Sequence, residues 1–176
     1  MLKGKLILLR ALERDDLPLL HAFNNDIDVE LAGGGDPPLP QSLSRLESEF
    51  DSKNADGGRD GMDFAIEADN HFIGICALFN HDRVAHTCEL GITIGNKLFW
   101  GKGYGREAVS LMVDYAFRYQ NFRKVWLRVH GNNERAQRAY QAVGFAEEGR
   151  LKQHVFSNGR YDDLVLMAIL KSDWEK

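Results

Sequence analysis

The sequence predicts an α/β fold of the α+β kind, one domain over residues 1–176 with a mixed sheet and the element order β-α-α-β-β-β-α-β-α-β-β. Two observations lead there. Apolar residues recur at a period of two in some stretches and at three- and four-residue spacing in others, and the two kinds of stretch are interleaved along the chain. At the centre, the run C-E-L-G-I-T-I-G at 88–95 leads through a glycine-rich loop straight into a helical stripe. With 176 residues and 44% hydrophobic content, the chain is long enough to enclose a core.

Residues 5–11, rich in Leu, read as the first strand, and Glu13, Arg14, Asp15 and Asp16 open a helix with acidic side chains at its positive end. Leu17, Leu20, His21 and Asn24 mark its turns. Between Asp26 and Pro40 the run Gly33-Gly34-Gly35-Asp36-Pro37-Pro38 reads as part of a mobile loop, because this composition neither packs a core nor holds a regular element. A second helix over 41–53 puts Leu43, Leu46 and Phe50 on one face. After a polar linker at 54–61, residues 62–68 alternate, turn at Asp69-Asn70 and pair with 71–80 as a hairpin.

The strand beginning at Thr87 carries Glu89 into the central segment, and Gly91 and Gly95 within it suggest where a ligand lies against the backbone. Beyond the glycine loop, Ala108, Leu111, Met112, Tyr115, Ala116 and Tyr119 make the stripe of a helix packed on a sheet. Val125, Leu127 and Val129 then alternate with Trp126, Arg128 and His130. Asn132 or Asn133 caps the following helix and Gly144 stops it. Residues 145–155 and 160–170 form a closing strand pair around Ser157-Asn158-Gly159-Arg160, where Asn-Gly is a strong hairpin signal.

The loop Gly101-Lys102-Gly103-Tyr104-Gly105-Arg106 sets glycine at alternate positions just where a helix opens. Missing Cβ atoms let a ligand approach the backbone, and the first amides of a helix have no intrahelical partner. Such a loop is built to hold an anion, most often a phosphate. A Walker loop needs Lys followed by Ser or Thr, and Arg106-Glu107 stands in that place. A dinucleotide fingerprint through Gly103, Gly105 and Ala108 lacks the tight turn, and no acidic residue closes the next strand at 124–130. Gly103-x-Gly105 resembles the pyrophosphate loop of coenzyme A acyltransferases, Arg/Gln-x-x-Gly-x-Gly/Ala, with Trp100 in place of the Arg or Gln.

Downstream, Asn133-Glu134-Arg135-Ala136, Tyr140 and Gly144-Phe145 follow in order. With these motifs the chain resembles the GNAT superfamily of acyl-CoA N-acyltransferases. Within it, the chain looks like the branch of ribosomal-protein N-terminal acetyltransferases and spermidine acetyltransferases, from L-L-R-A-L-E-R-D-D-L near the start to S-N-G-R-Y-D-D near the end. The resemblance implies a mixed, mostly antiparallel central sheet flanked by helices. It also implies transfer of an acetyl group from acetyl-CoA to a primary amine, by direct attack in a ternary complex.

The roles it implies fall on particular residues. Ile92, Thr93 and Ile94 offer backbone groups to pantetheine as a strand would; Gly101, Lys102, Gly103, Tyr104, Gly105 and Arg106 hold the phosphates; Asn133 binds the pantetheine amide, caps its helix, or does both. Tyr140 is the general acid toward the coenzyme A sulfur, or a tyrosine packed on the sheet. Glu89, fourteen positions before Gly103, is the general base or a salt-bridged strand residue. Cys88 beside it is the only thiol that would argue for a covalent intermediate. His130 and His154 are candidates for an acceptor contact, or plain strand histidines.

The formal net charge of −4 speaks against a nucleic-acid partner and suits a cationic acceptor, although it equally serves solubility. Cys76 and Cys88 fall in strands, as buried thiols of a reducing compartment do, and the six histidines show no metal-binding repeat, so no metal is expected. The N-terminal apolar run is too short for a signal segment or a membrane span, and a cytoplasmic protein without a membrane partner is the expectation. A homodimer is compatible with the sequence. The acceptor is a protein N-terminus or a small amine. Asp26, Asp28, Glu30 and Asp36 surround the region that should decide, but a dense aromatic-acidic run expected of a dedicated polyamine site is missing. A nonenzymatic acyl-CoA sensor would need the loop but neither Glu89 nor Tyr140.

Overall fold

In the computed structural model, which describes residues 1–33, 38–57 and 61–175, the strand expected at 5–11 is shortened to β2 (Leu8–Ala11), and an unexpected β1 (Leu2–Lys3) precedes it and pairs with it antiparallel. A 3-10 turn at Arg14–Asp16 feeds α1 (Leu17–Asn24), with Pro18 in its first turn, where a missing amide does no harm. A short helix, α2 (Ile27–Gly33), then occupies the start of the expected loop and corrects it, while positions 34–37 lie outside the described residues. The Asp26 carboxylate accepts the amides of Asp28 and Val29 and so starts α2. α3 (Leu43–Asp56) begins where Ser42 accepts the Arg45 amide.

Strands β3 (Gly61–Ala68), β4 (His71–Asp82) and β5 (Thr87–Ile94) follow as an antiparallel meander. α4 (Tyr104–Arg118) crosses over to β6 (Lys124–His130), which lies parallel to β5. α5 (Glu134–Gln141) leads to the long hairpin β7 (Ala146–Ser157) and β8 (Arg160–Leu170), and a turn of helix, α6 (Lys171–Trp174), ends the described chain. The sheet order is β1-β2-β3-β4-β5-β6-β8-β7, mixed and mostly antiparallel as the resemblance implied.

Two cores lie on opposite faces of this sheet. On one, α4 buries Ala108, Val109, Met112, Val113, Ala116 and Phe117 against Ile66, Ile73, Leu78, Cys88 and Leu127. Each fully buried large side chain contributes about 1.5–3 kcal/mol, so this face anchors the helix that starts at the glycine loop. On the other, Leu17, Leu20 and Leu46 pack on Ala65 and Phe72. Alternation along β5 therefore assigns Cys88, Leu90, Ile92 and Ile94 to the α4 side, and Glu89, Gly91 and Thr93 to the α1 and α3 side.

Gly91 and Gly95 have a packing cause. A Cβ at Gly91 would lie 2.9 Å from the Phe79 ring, and one at Gly95 only 2.1 Å from Phe23. At Gly95 the aromatic ring takes the space expected for a ligand, whereas Gly91, together with Phe79, lines a cavity.

Candidate active site

The site is built on a fork in the sheet. β5 and β6 pair only at Thr87–Lys124, Cys88–Val125 and Glu89–Trp126. Beyond Glu89 they diverge, and α2, α4 and α5 converge on the opening. On the α4 side the fork widens into a cavity of about 500 Å³, lined by Ile92, Thr93 and Ile94 of β5, by Gly101, Lys102, Gly103, Gly105 and Arg106, and by Asn133 and Tyr140 of α5. The structure thus brings together residues expected at the cofactor site from three separate stretches of sequence.

The loop geometry follows from its glycines. Gly101 and Gly103 have φ of +73° and +93°, a conformation that L side chains resist. Gly103 is the N-cap of α4, whose first intrahelical bond runs from the Glu107 amide to the Gly103 carbonyl. The preceding helical amides, at 104–106, stand at the positive end of a fifteen-residue helix without an intrahelical acceptor. Lys102 and Arg106 are exposed beside them. Tyr104 is the exception: its ring lies 5.1 Å from that of Phe99 and packs on the main core, so its side chain is absent from the cavity wall.

Trp100, the departure from the loop pattern, has a structural role. Its indole N–H donates to the Ile94 carbonyl at 2.6 Å, tying the loop to the end of β5, and the Arg135 guanidinium lies 4.4 Å over its ring. Both Trp100 and Arg135 line the cavity.

Asn133 does more than cap. Its Oδ1 accepts the Ala136 amide at 3.1 Å while its Nδ2 donates to the Ala32 carbonyl at 3.0 Å, linking the start of α5 to the end of α2. Two turns on, Tyr140 faces the same cavity with its ring 6.0 Å from that of Phe145. Burial pushes its phenol up to about 12, so it keeps its proton through the neutral range.

Glu89 was expected as the general base or as a salt-bridged strand residue. It is 3% exposed and lines neither cavity. Its Oε1 accepts from Arg128 Nε at 2.7 Å and its Oε2 from Asn80 Nδ2 at 2.7 Å. The alternative, a salt-bridged strand residue, describes this geometry: the last paired residue before the fork is clamped from β4 and β6. Cys88 is 0% exposed in the α4-side core, where burial pushes its thiol up to about 12, and it lines neither cavity. His130 is buried, His154 is exposed on β7, and neither is part of the lining of this cavity or of the one on the opposite face.

A second cavity, about 520 Å³, lies on the opposite face of the sheet. Lys53 and Asp63 supply its charges, Ile75, Ala77 and Phe79 its apolar wall, and Asn80 its end nearest Glu89. Gly33, Ile92 and Thr93 line both cavities. α2 was not expected, and Arg135 was expected only as part of the motif at 133–136; its place over Trp100 depends on a residue distant in sequence.

Residues 7–146 match the model of the acetyltransferase (GNAT) domain, and the chain belongs to that family. It is 33% identical over 167 residues to the spermidine N(1)-acetyltransferase of Vibrio cholerae, covering 94% of each chain. It is 31% identical over 107 residues to the [ribosomal protein uS5]-alanine N-acetyltransferase of Escherichia coli, covering 60% of this chain and 55% of that one. A crystal structure of spermidine N-acetyltransferase from Vibrio cholerae in complex with CoA and spermine superposes with a TM-score of 0.89 at 31% identity, over 98% of this chain and 100% of the other. The protein is an acetyl-CoA-dependent N-acetyltransferase, with acetyl-CoA as its donor substrate. No helix among the described residues is long and apolar enough to cross a membrane, and no cluster of metal-ligating side chains occurs among them.

Proposed function

We propose that the acceptor is a small primary amine that enters through the second cavity, while acetyl-CoA occupies the first with its pyrophosphate on residues 101–106. The lining that the two cavities share, Gly33, Ile92 and Thr93, supports this reading, because it sets amine and thioester on either side of the same stretch of β5. The neutral amine attacks the thioester carbonyl carbon; a C–N bond forms, the C–S bond breaks, and the nitrogen gives up a proton. Tyr140 supplies the proton that the departing thiolate takes, and regains one from solvent. Because the Glu89 carboxylate touches neither cavity wall, its part in proton removal runs through water beside Asn80 rather than by contact with the ammonium.

The acceptor class is argued from charge and size. A volume of about 520 Å³ falls within the roughly 300–1,000 Å³ of small-molecule sites. Asp63 is the carboxylate on its wall, and it already seats an ammonium, that of Lys53, at 2.6 Å. Asp26 and Asp28, by contrast, are both engaged by Lys97, which holds the Asp26 carboxyl below the usual carboxylate range. An acceptor cation would displace Lys53 from Asp63. The names of the relatives support a small amine as well, since spermidine and spermine are what those proteins acetylate or bind.

Thiol release from acetyl-CoA across spermidine, simple monoamines and N-terminal peptides tests this. Small amines are expected to be acetylated in preference to peptides. Asp63→Asn should lower kcat/KM for the best small amine by roughly tenfold, the size of one charge-assisted hydrogen bond of about 1.5 kcal/mol, while the KM for acetyl-CoA stays put. Preference for a peptide, or an Asp63→Asn enzyme unchanged toward every amine, would remove the second cavity as the acceptor site.

A further inference from the structure

A carboxylate in the first turn of α4 is a poor neighbour for a pyrophosphate, yet Glu107 stands there. Its charge is directed elsewhere. Glu107 Oε1 accepts the Lys5 amide at 2.7 Å, and Oε2 accepts those of Leu6 at 2.7 Å and Ile7 at 3.1 Å. Three consecutive backbone donors thus converge on one carboxylate, a concave amide nest of the sort that holds anions. The nest belongs to the turn between β1 and β2, closed by the Gly4 amide on the Ile7 carbonyl at 2.8 Å.

The same turn backs the glycine loop at a second point. The Leu6 side chain lies behind Gly103, its Cδ1 3.8 Å from where a Cβ would stand. Gly4 fits this arrangement for a reason of space: a Cβ there would lie 2.7 Å from the Glu107 carboxyl carbon and 2.8 Å from Oε2. Gly4, Leu6 and Glu107 therefore form one device, more than a hundred residues apart in sequence at its two ends. None of these bonds reaches the cavity.

We propose that Glu107 is a positioning residue for the cofactor: by clamping the β1–β2 turn it fixes the first turn of α4, and with it the direction of the amides at 104–106. It also disposes of its own charge, which would otherwise compete with the phosphates for the positive helix end. The proposal rests on the reading that residues 101–106 hold the pyrophosphate.

The test uses two routes to the same contact. Glu107→Gln keeps the shape but replaces one accepting oxygen by a donor, and Gly4→Ala leaves the carboxylate intact while pushing it out of the nest. CoA affinity by calorimetry, KM for acetyl-CoA, kcat with one amine and thermal stability are measured for both, for the double variant, and for Gly103→Val as a report on the loop. Each single variant is expected to raise the Kd for CoA and the KM for acetyl-CoA about fivefold with kcat changed by less than about twofold, and the double variant to be no worse than the poorer single one. Should Glu107→Gln fail to fold, Gly4→Ala carries the test alone. Folded variants that lose thermal stability but bind CoA like the parent would make Glu107 a strut only and overturn the proposal. Unchanged CoA affinity in a folded Gly103→Val variant would instead remove the loop from the site, and the positioning role with it.

Discussion

Replacing Tyr140 by Phe is expected to lower kcat by on the order of 10²-fold, the typical worth of one general acid, and to leave CoA affinity nearly unchanged. The ring contact with Phe145 is retained in this variant, so packing of α5 on the sheet is preserved. What is lost is a proton donor. Because burial pushes the phenol up to about 12, Tyr140 is protonated across the range in which amines become neutral. The sign of the pH effect follows: the parent rate should rise with pH as the free amine accumulates, with no decline from Tyr140 until the pH nears that value. Rapid-quench measurement of the chemical step checks both statements. A Tyr140→Phe enzyme as fast as the parent, with chemistry shown to limit, would require another proton source for the thiolate.

Gly103→Val should weaken CoA binding by at least about tenfold, or about 1.4 kcal/mol. The protein side of the loop is not crowded, since a Cβ at Gly103 would meet only Leu6 and Arg106 side-chain atoms, both beyond 3.7 Å. Two other effects produce the loss. A φ of +93° is strained for any β-branched residue, so the N-cap of α4 would shift, and the added methyl groups would hold a phosphate off the amides. Calorimetry on the folded variant decides the matter, and unchanged affinity would show that the pyrophosphate lies elsewhere.

Much of the fold was legible where periodicity is local. β8 spans Arg160–Leu170, the residues expected, because the Asn-Gly turn fixes the start of an alternating run. The stripe at Ala108, Met112 and Ala116 marked α4 as a sheet-packed helix. The late start of β2 was hidden because the amides of residues 5–7 are taken up by the Glu107 carboxylate, a hundred residues away. α2 was lost in a polar, glycine-rich context, although Asp26 two and three residues before the amides it accepts was a readable cap.

The candidate site divides in the same way. The glycine loop and the Asn133 to Tyr140 spacing could be read directly, since helix geometry alone brings two residues seven apart to one side. The place of Glu89 could not, because whether a strand carboxylate faces a ligand or an arginine depends on the neighbouring strands. Here Arg128 on β6 and Asn80 on β4 decide it. Gly95 misled for a similar reason, as Phe23 fills the space its missing side chain leaves, whereas Gly91 does line the second cavity.

If acetyl-CoA and a small amine occupy the two cavities together, the acetyl group passes directly to the amine without an acetylated enzyme. Initial rates measured over a grid of acetyl-CoA and the best small amine test it most directly. The double-reciprocal lines are expected to intersect, with no thiol released from acetyl-CoA until the amine is added. Parallel lines, with a burst of thiol in the absence of amine, would mean an acetylated enzyme and would contradict it.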